Sequence, residues 1–245
     1  GAIGVALIFT FLKPAPPEWK AGLPGSTSQP KDSTVKHKQA EVLKNPMIWM
    51  LALASAFMYI SRYAVNSWGV YYFEVEKHYS IVEASGLISI SSICGIIGTV
   101  FSGLLSDKLF RGKRYIPACL ASFMNLIALY LFLYIPDGGK LMDIVAMVLF
   151  GISIGILICY LGGLMAIDLA PKEATGAAVG VIGIASYMAA GIQDILSGFF
   201  IESKKQIIGG VEIIDFSFIR MFWILSAMVS LLLLICIYYK HHRRV

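Results

Sequence analysis

Three polar side chains in the middle of an apolar stretch are the first residues of this sequence that could bind a ligand. Tyr59, Arg62 and Asn66 are three and four positions apart, so a helix places them on one face. Arg62 lies near the centre of the hydrophobic run 47–73, which is long enough to cross a bilayer. A guanidinium at that depth costs roughly 2.5–3.5 kcal/mol on insertion scales, so we expect it to face a water-filled cavity.

An arginine in such a cavity is suited to phosphate. It stays charged and presents a planar fork of N–H donors, so Arg62 can bind inorganic phosphate or a phosphate ester. The alternative is an ion pair with a buried carboxylate, and Asp194 is the other charge that the sequence places well inside an apolar run. Asp194 can pair with Arg62, accept a hydrogen bond from a sugar hydroxyl or carry a proton. Ligand binding and pairing of Arg62 can also belong to different states of one protein.

The composition indicates a membrane protein. Of the 245 residues, 58% are hydrophobic and 14% are charged, and the mean hydropathy is +0.75. Soluble domains have about 45–50% apolar and about 25% charged residues. Long apolar runs recur along the whole chain, which predicts an all-α polytopic membrane protein. The net charge of +5 comes from short basic segments between these runs, so we expect no nucleic-acid partner.

The sequence has no motif for enzymatic chemistry. It contains no Walker loop, no HExxH and no nucleophile elbow. The four cysteines lie inside apolar runs, and their spacing fits neither a zinc site nor a disulfide framework. We therefore expect no metal, no cofactor and no enzyme activity.

The apolar runs divide the chain into a domain of six spans and shorter flanking segments. We predict spans at 47–73, 84–106, 115–135, 144–167, 174–201 and 216–239. Residues 1–12 are predicted to end a preceding transmembrane helix, 13–45 to form a polar linker with a short helix near 38–43, 46–239 to form the transmembrane domain, and 240–245 to form a basic tail. Because the chain starts inside an apolar run, we expect it to be a piece of a longer protein.

The basic residues predict the orientation in the membrane. Fourteen of the twenty lysines and arginines lie in the linker, in the segments 107–114 and 168–173, and in the tail. The alternate loops contain only Lys77, Lys140, Lys204 and Lys205. Cytoplasmic loops are enriched in lysine and arginine, which predicts a multi-pass protein of the cell's inner (plasma) membrane with linker and tail in the cytoplasm.

The most specific local pattern is the sequence GLLSDKLFRGKR at positions 103–114, between two predicted spans. It resembles the loop G-x-L-[SA]-D-[RK]-x-x-[GR]-[RK]-[RK] of the major facilitator superfamily. A small glycine there permits close helix approach, an aspartate at a helix end can hold cations or backbone donors, and a basic cluster faces anionic lipid headgroups. The pattern predicts a conformational-latch loop made of Gly103, Asp107, Lys108, Arg111 and Arg114.

Two further stretches resemble the organophosphate:phosphate antiporters of that superfamily. Tyr59-x-x-Arg62-Tyr63-x-x-x-x-Trp68 is similar to their helix seven, and the sequence DLAPKEATGAAVG at 168–180 is similar to their turn from helix ten to helix eleven. The resemblance covers essentially the whole chain. It implies the six-helix C-terminal half of a twelve-helix fold, with the end of helix six and the central linker. The N-terminal six-helix half, its implied partner, would lie outside this chain.

The resemblance also implies site residues. In that family one arginine in helix one and another in helix seven bind the substrate phosphate, and Arg62 matches the second. Tyr59 and Tyr187 match tyrosines near the family site, although a buried tyrosine is more often a core residue. The full set of predicted substrate-binding residues is Arg62, Tyr59, Tyr187, Asn66, Tyr160 and Asp194. Two positions depart from the family: Asp194 replaces a lysine of the hexose-phosphate transporters, and Ser67 replaces an acidic residue.

The function implied by the resemblance is exchange of an organic phosphate for inorganic phosphate by alternating access. Sugar phosphate is favoured over glycerol 3-phosphate because the adjacent Gln193 and Asp194 can bond sugar hydroxyls. A membrane sensor for external hexose phosphate, acting with a sensor kinase, is the first alternative. An unrelated facilitator of the exporter type, which shares only the latch loop, is the second.

Overall fold

Six long apolar helices dominate the computed structural model, which describes residues 32–110, 112–136, 139–208 and 211–242. A surface helix, α1 (Asp32–Lys44), precedes them, as predicted for the linker. The spans are α2 (Pro46–Val75), α3 (Ile81–Leu104), α4 (Tyr115–Tyr134), α5 (Lys140–Cys159) with its short continuation α6 (Met165–Leu169), α7 (Thr175–Ser203) and α8 (Ser217–His242). The predicted α-helical multi-pass architecture is confirmed. The segment 1–12, most of the linker, Arg111 and the end of the tail lie outside the described residues.

The helices start where capping residues allow it. The Asn45 side chain accepts a hydrogen bond from the Met47 backbone N–H at 3.0 Å, with Pro46 in the first turn of α2. Ser80 and Glu83 form a capping box that starts α3 three residues before the predicted span. Two helices end in a π-helical turn, Leu105–Leu109 after α3 and Tyr160–Leu164 after α5.

The predicted start of α5 was too late. The helix begins at Lys140, which places Asp143 inside the first turn and fully buried. A hydropathy pattern places a carboxylate outside a span, because it scores the charge of the side chain. It takes no account of an oppositely charged side chain on another segment that can offset this charge. Lys77 lies in the turn after α2, in a loop as predicted, and only 2% of its side chain is exposed.

A β-hairpin between α7 and α8 is the departure from an all-α fold among the described residues. Strands β1 (Lys205–Ile208) and β2 (Val211–Ile214) pair antiparallel, with Lys205 opposite Ile214. The sequence signal was available, since two isoleucine-containing segments flank a Gly-Gly pair. After the hairpin, Asp215 accepts hydrogen bonds from the Ser217 hydroxyl and backbone N–H at 2.5 and 2.9 Å, which hold the pKa of this carboxyl below its usual value.

α2 packs against α3, α7 and α8, and α3 packs closely against α5. An added Cβ would collide with the backbone of Ile152 at Gly98, of Ser91 at Gly151 and of Gly95 at Gly155. These glycines let the two helix backbones approach each other closely, as in other membrane helix pairs. The tight seam forms the floor of the candidate site.

Candidate functional site

Arg62 lies near the middle of the 30-residue helix α2 and is partly buried. Its guanidinium carbon lies 5.2 Å from the centre of the Tyr59 ring and 5.5 Å from that of the Tyr63 ring. Tyr59 lies one helical turn before Arg62 and Tyr63 directly follows it, so both contacts are made within α2. The two rings hold the cation but supply no counter-charge.

No carboxylate of the described residues lies within ion-pair distance of Arg62. The predicted alternative, an ion pair with Asp194, is thus not formed in this state. Asp194 is itself partly buried, and its Oδ1 has no hydrogen-bond partner among those residues. Two opposite charges inside the spans are both left without a charged partner here.

The Arg62 side chain opens into a cleft of about 250 Å³ between α2, α3 and α5, called here the Arg62 cleft. Its lining is Arg62, Asn66, Ser91, Ser92, Gly95, Ile96, Thr99, Phe150, Gly151, Ile154, Gly155 and Ile158. The Ser91 and Ser92 hydroxyls donate to the Ile88 carbonyl at 2.7 and 3.2 Å, so their oxygens remain acceptors. The cleft therefore offers N–H donors from Arg62 and Asn66, and hydroxyl acceptors from α3.

Tyr187 contacts Tyr59 and does not belong to the lining of the Arg62 cleft. Its ring lies 5.4 Å from the Tyr59 ring in an edge-on arrangement, and 62% of Tyr187 is exposed. Tyr59 itself is buried. Arg62, Tyr59, Tyr63 and Tyr187 thus form one aromatic and cationic cluster from α2 and α7.

Tyr160 lies apart from the cleft lining. It is fully buried in the π-helical turn after α5, and its hydroxyl donates to the Ser102 carbonyl at 2.7 Å. This bond joins the ends of α3 and α5.

Gln193 is not available to bond a sugar hydroxyl together with Asp194. The preference for a sugar phosphate that was expected from the sequence therefore cannot rest on these two residues. It is fully buried, and its amide donates to the Ser197 hydroxyl at 3.0 Å. The Trp223 indole of α8 donates to the same hydroxyl at 3.0 Å. Gln193 therefore faces α8 and the interior.

A second charged site, called here the Lys77 cluster, lies at one end of the bundle and was not predicted from the sequence. Lys77 pairs with Asp143, and the Tyr79 hydroxyl donates to the other carboxylate oxygen at 2.8 Å. The Lys77 ammonium also lies 5.5 Å from the Phe73 ring centre and 5.7 Å from that of Phe132. The Asp143 side chain is 0% exposed, so these partners replace its hydration completely.

A neighbouring pair extends the Lys77 cluster to α8. Arg220 pairs with Glu76, and its guanidinium carbon lies 5.8 Å from the Tyr72 ring centre. The Tyr72 hydroxyl donates to the Leu133 carbonyl of α4 at 2.8 Å. Side chains from α2, α4, α5 and α8 are thus connected at this end.

In the latch loop, Arg114 makes the bridge to a neighbouring helix. It donates to the Leu164 carbonyl at 2.8 Å and pairs with Asp168 at 2.6 Å. Asp107 accepts a bond from Ser106 within its own turn, and Lys108 is exposed. Gly103 is not at a close approach, because an added Cβ meets no described atom within 4 Å.

Comparison of the sequence with known proteins identifies a family. The profile of the Major Facilitator Superfamily matches residues 1–193. A glycerol-3-phosphate transporter of Bacillus subtilis (strain 168) is 33% identical over 180 residues, which cover 71% of this chain and 40% of that protein. A probable hexose phosphate transport protein of Chlamydia pneumoniae is 34% identical over 156 residues, or 61% of this chain and 33% of that protein.

A sensor is also similar. Membrane sensor protein UhpC of Escherichia coli (strain K12) is 28% identical over 185 residues, or 73% of this chain and 41% of that protein. The chain spans less than half the length of each of these three relatives. Transporters and a sensor, not enzymes, are thus its relatives. The chain belongs to the Major Facilitator Superfamily, and its relatives match the organophosphate:phosphate antiporters that its motifs resemble.

Proposed function

We propose that this chain is the C-terminal half of an antiporter that exchanges an organic phosphate for inorganic phosphate. The observation that supports this most is Arg62, a partly buried guanidinium in the middle of a span, open to a cleft and unpaired among the described residues. A cation held there is expensive unless an anion offsets its lost hydration. Phosphate matches the planar donor fork of arginine.

The Arg62 cleft suits both ends of a phosphate ester. Arg62 would bind two phosphate oxygens, and the Asn66 amide would donate to a third. The Ser91 and Ser92 oxygens would accept bonds from hydroxyls of the organic part. We favour a sugar phosphate on the basis of these serines, because Gln193 is turned away. Glycerol 3-phosphate, named for one relative, is the other candidate.

The transport cycle would be alternating access about this midplane site, with the N-terminal half as the second wall. Only 22% of the apolar stretch of α3 and of α7 is buried, against 61% in α2. We propose that the exposed faces of α3 and α7 meet the N-terminal half. The whole protein would lie in the inner membrane, with the linker and the tail in the cytoplasm.

The test is Arg62→Lys in the full-length protein, reconstituted in liposomes and assayed for phosphate exchange. We expect a loss of at least about tenfold, because an ammonium lacks the two-pronged geometry. Arg243→Lys makes the same chemical change in the basic segment that follows the last apolar run of the sequence, and should leave exchange unchanged. Near-normal exchange in the Arg62→Lys protein would refute the proposal.

The second candidate is a sensor with the same fold and site, favoured by the similarity to a membrane sensor protein. It would bind hexose phosphate without moving it, and would signal through a kinase. Binding of phosphate esters without counterflow, together with co-purification of a kinase, would favour the sensor. Absence of binding to any phosphate compound would favour the exporter reading.

A further inference from the structure

α2 and α7 lie side by side and run in the same direction. The hydroxyl oxygens of Ser55 and Ser186 are 2.7 Å apart, and the two residue numbers differ by 131. The Tyr59 and Tyr187 rings meet next, and the Trp68 ring lies 3.4 Å from a Cβ built at Gly198. Residues farther along α2 thus contact residues farther along α7, and the residue numbers in each pair differ by nearly the same amount.

This offset places Arg62 and Asp194 at nearly the same depth. The numbers of Arg62 and Asp194 differ by 132, and those of the three contacts by 131, 128 and 130. With 1.5 Å of rise per residue, this difference of one to four positions amounts to about 1.5–6 Å along the helix axis. Tyr187 and Asp194 are seven positions apart, so they share a face of α7. That face meets Tyr59, on which the Arg62 guanidinium rests.

Gly191 leaves space on this face. It lies one turn after Tyr187 and one turn before Asp194, and a Cβ added to it would meet nothing within 4 Å among the described residues. A long side chain from α2 can therefore approach α7 between these two residues. Arginine has the length and the rotamer freedom for such a movement.

Both charges lack a charged partner in the described part of the chain. Asp194 has one carboxylate oxygen that is buried and without a hydrogen bond. Arg62 has two tyrosine rings and no carboxylate. Opposite charges at one depth on adjacent helices attract each other more strongly than in water, because the surrounding dielectric constant is lower.

We propose that Asp194 is the counter-ion that Arg62 binds in a further conformation of the carrier, after phosphate has left, so that a carboxylate and a phosphate compete for one guanidinium. The inference rests on the proposed function. Competition would keep phosphate binding weak enough for release, as a carrier requires.

The test measures binding of radiolabelled inorganic phosphate to the purified full-length protein. Asp194→Asn should bind about tenfold more tightly, the factor produced by about 1.4 kcal/mol of lost competition. Asp194→Ser, a second neutral variant, should also bind more tightly. Asp194→Glu should stay near the wild type. Glu202→Gln, which neutralises an exposed carboxylate at the end of the same helix, is the matched control and should change nothing.

Tighter binding separates competition from a merely structural role, because damage to the site would weaken binding. If both neutral variants bind phosphate as the wild type does or more weakly, while Arg62→Gln abolishes binding, the counter-ion proposal is wrong and the proposed function stands. If Arg62→Gln binds phosphate as tightly as the wild type, the proposed function itself fails.

Discussion

Arg62 and Lys77, the cations near the middle and beyond the end of α2, have opposite surroundings. Lys77 is 2% exposed in its side chain and has a carboxylate and two aromatic rings as partners. Arg62 faces an open cleft, with aromatic rings but no carboxylate among the described residues. The difference suggests that a charge with a full set of internal partners serves stability, whereas an unpaired charge is available to a ligand.

The physical basis is desolvation. A buried ion pair offsets most of the hydration that each charge loses, but a charge left alone after its partner is removed keeps the whole penalty. In the Lys77 cluster the partners come from the protein, and in the Arg62 cleft we propose that they come from the substrate. The following variants test that contrast.

The largest effect is expected for Asp143→Asn, which removes the counter-ion of Lys77 and leaves its charge buried. The expected loss of stability is about 3–5 kcal/mol. Thermal unfolding of the detergent-solubilised full-length protein measures it. The double variant Lys77→Met with Asp143→Leu should recover most of this loss, because apolar side chains replace both charges. A single variant as stable as the wild type would contradict the assignment.

Arg62→Gln should show the reverse pattern. Because Arg62 has no carboxylate partner among the described residues in this conformation, the stability of this conformation should change by less than about 1 kcal/mol, while phosphate binding is lost. The same unfolding assay and a phosphate-binding assay separate the two effects. A loss of stability as large as that of Asp143→Asn would mean that Arg62 has a structural partner.

Gly151→Ala tests the floor of the Arg62 cleft. The added Cβ would collide with the Ser91 carbonyl and lie 2.8 Å from the Cys94 side chain, so α3 must move away. Overpacking of this kind costs about 1–3 kcal/mol. Gly86→Ala on α3, where an added Cβ meets no described atom, is the matched control and should gain up to about 1 kcal/mol. Equal stability of the two variants would show that the seam is adaptable.

The smallest effect is expected at His78, beside the Lys77 cluster. His78 has a φ of 54°, a left-handed conformation that favours glycine. His78→Gly should therefore stabilise the protein, by at most about 1 kcal/mol. We expect a small rise in the unfolding temperature. A fall would show that contacts of the histidine side chain stabilise the protein by more than the backbone strain destabilises it.

Sequence alone predicted the spans well and their ends less well. Long apolar runs located all six helices in the described region, because a membrane helix must be apolar over about 20 residues. The start of α5 was missed, since Asp143 is charged and its partner lies on another segment. The span pattern does not predict the hairpin despite its Gly-Gly pair, because the segment between two spans is expected to form a loop.

What the sequence by itself determined is the α2 face of the site. Tyr59, Arg62 and Asn66 share that face through helical spacing alone, and the apolar run sets the depth of Arg62. Only the tertiary structure decided that Tyr187 contacts Tyr59, that Asp194 has a buried oxygen without a partner among the described residues, and that Lys77 is neutralised by Asp143. The reason is physical: whether a charge in a membrane protein is satisfied depends on side chains from other helices, and their proximity is created by packing.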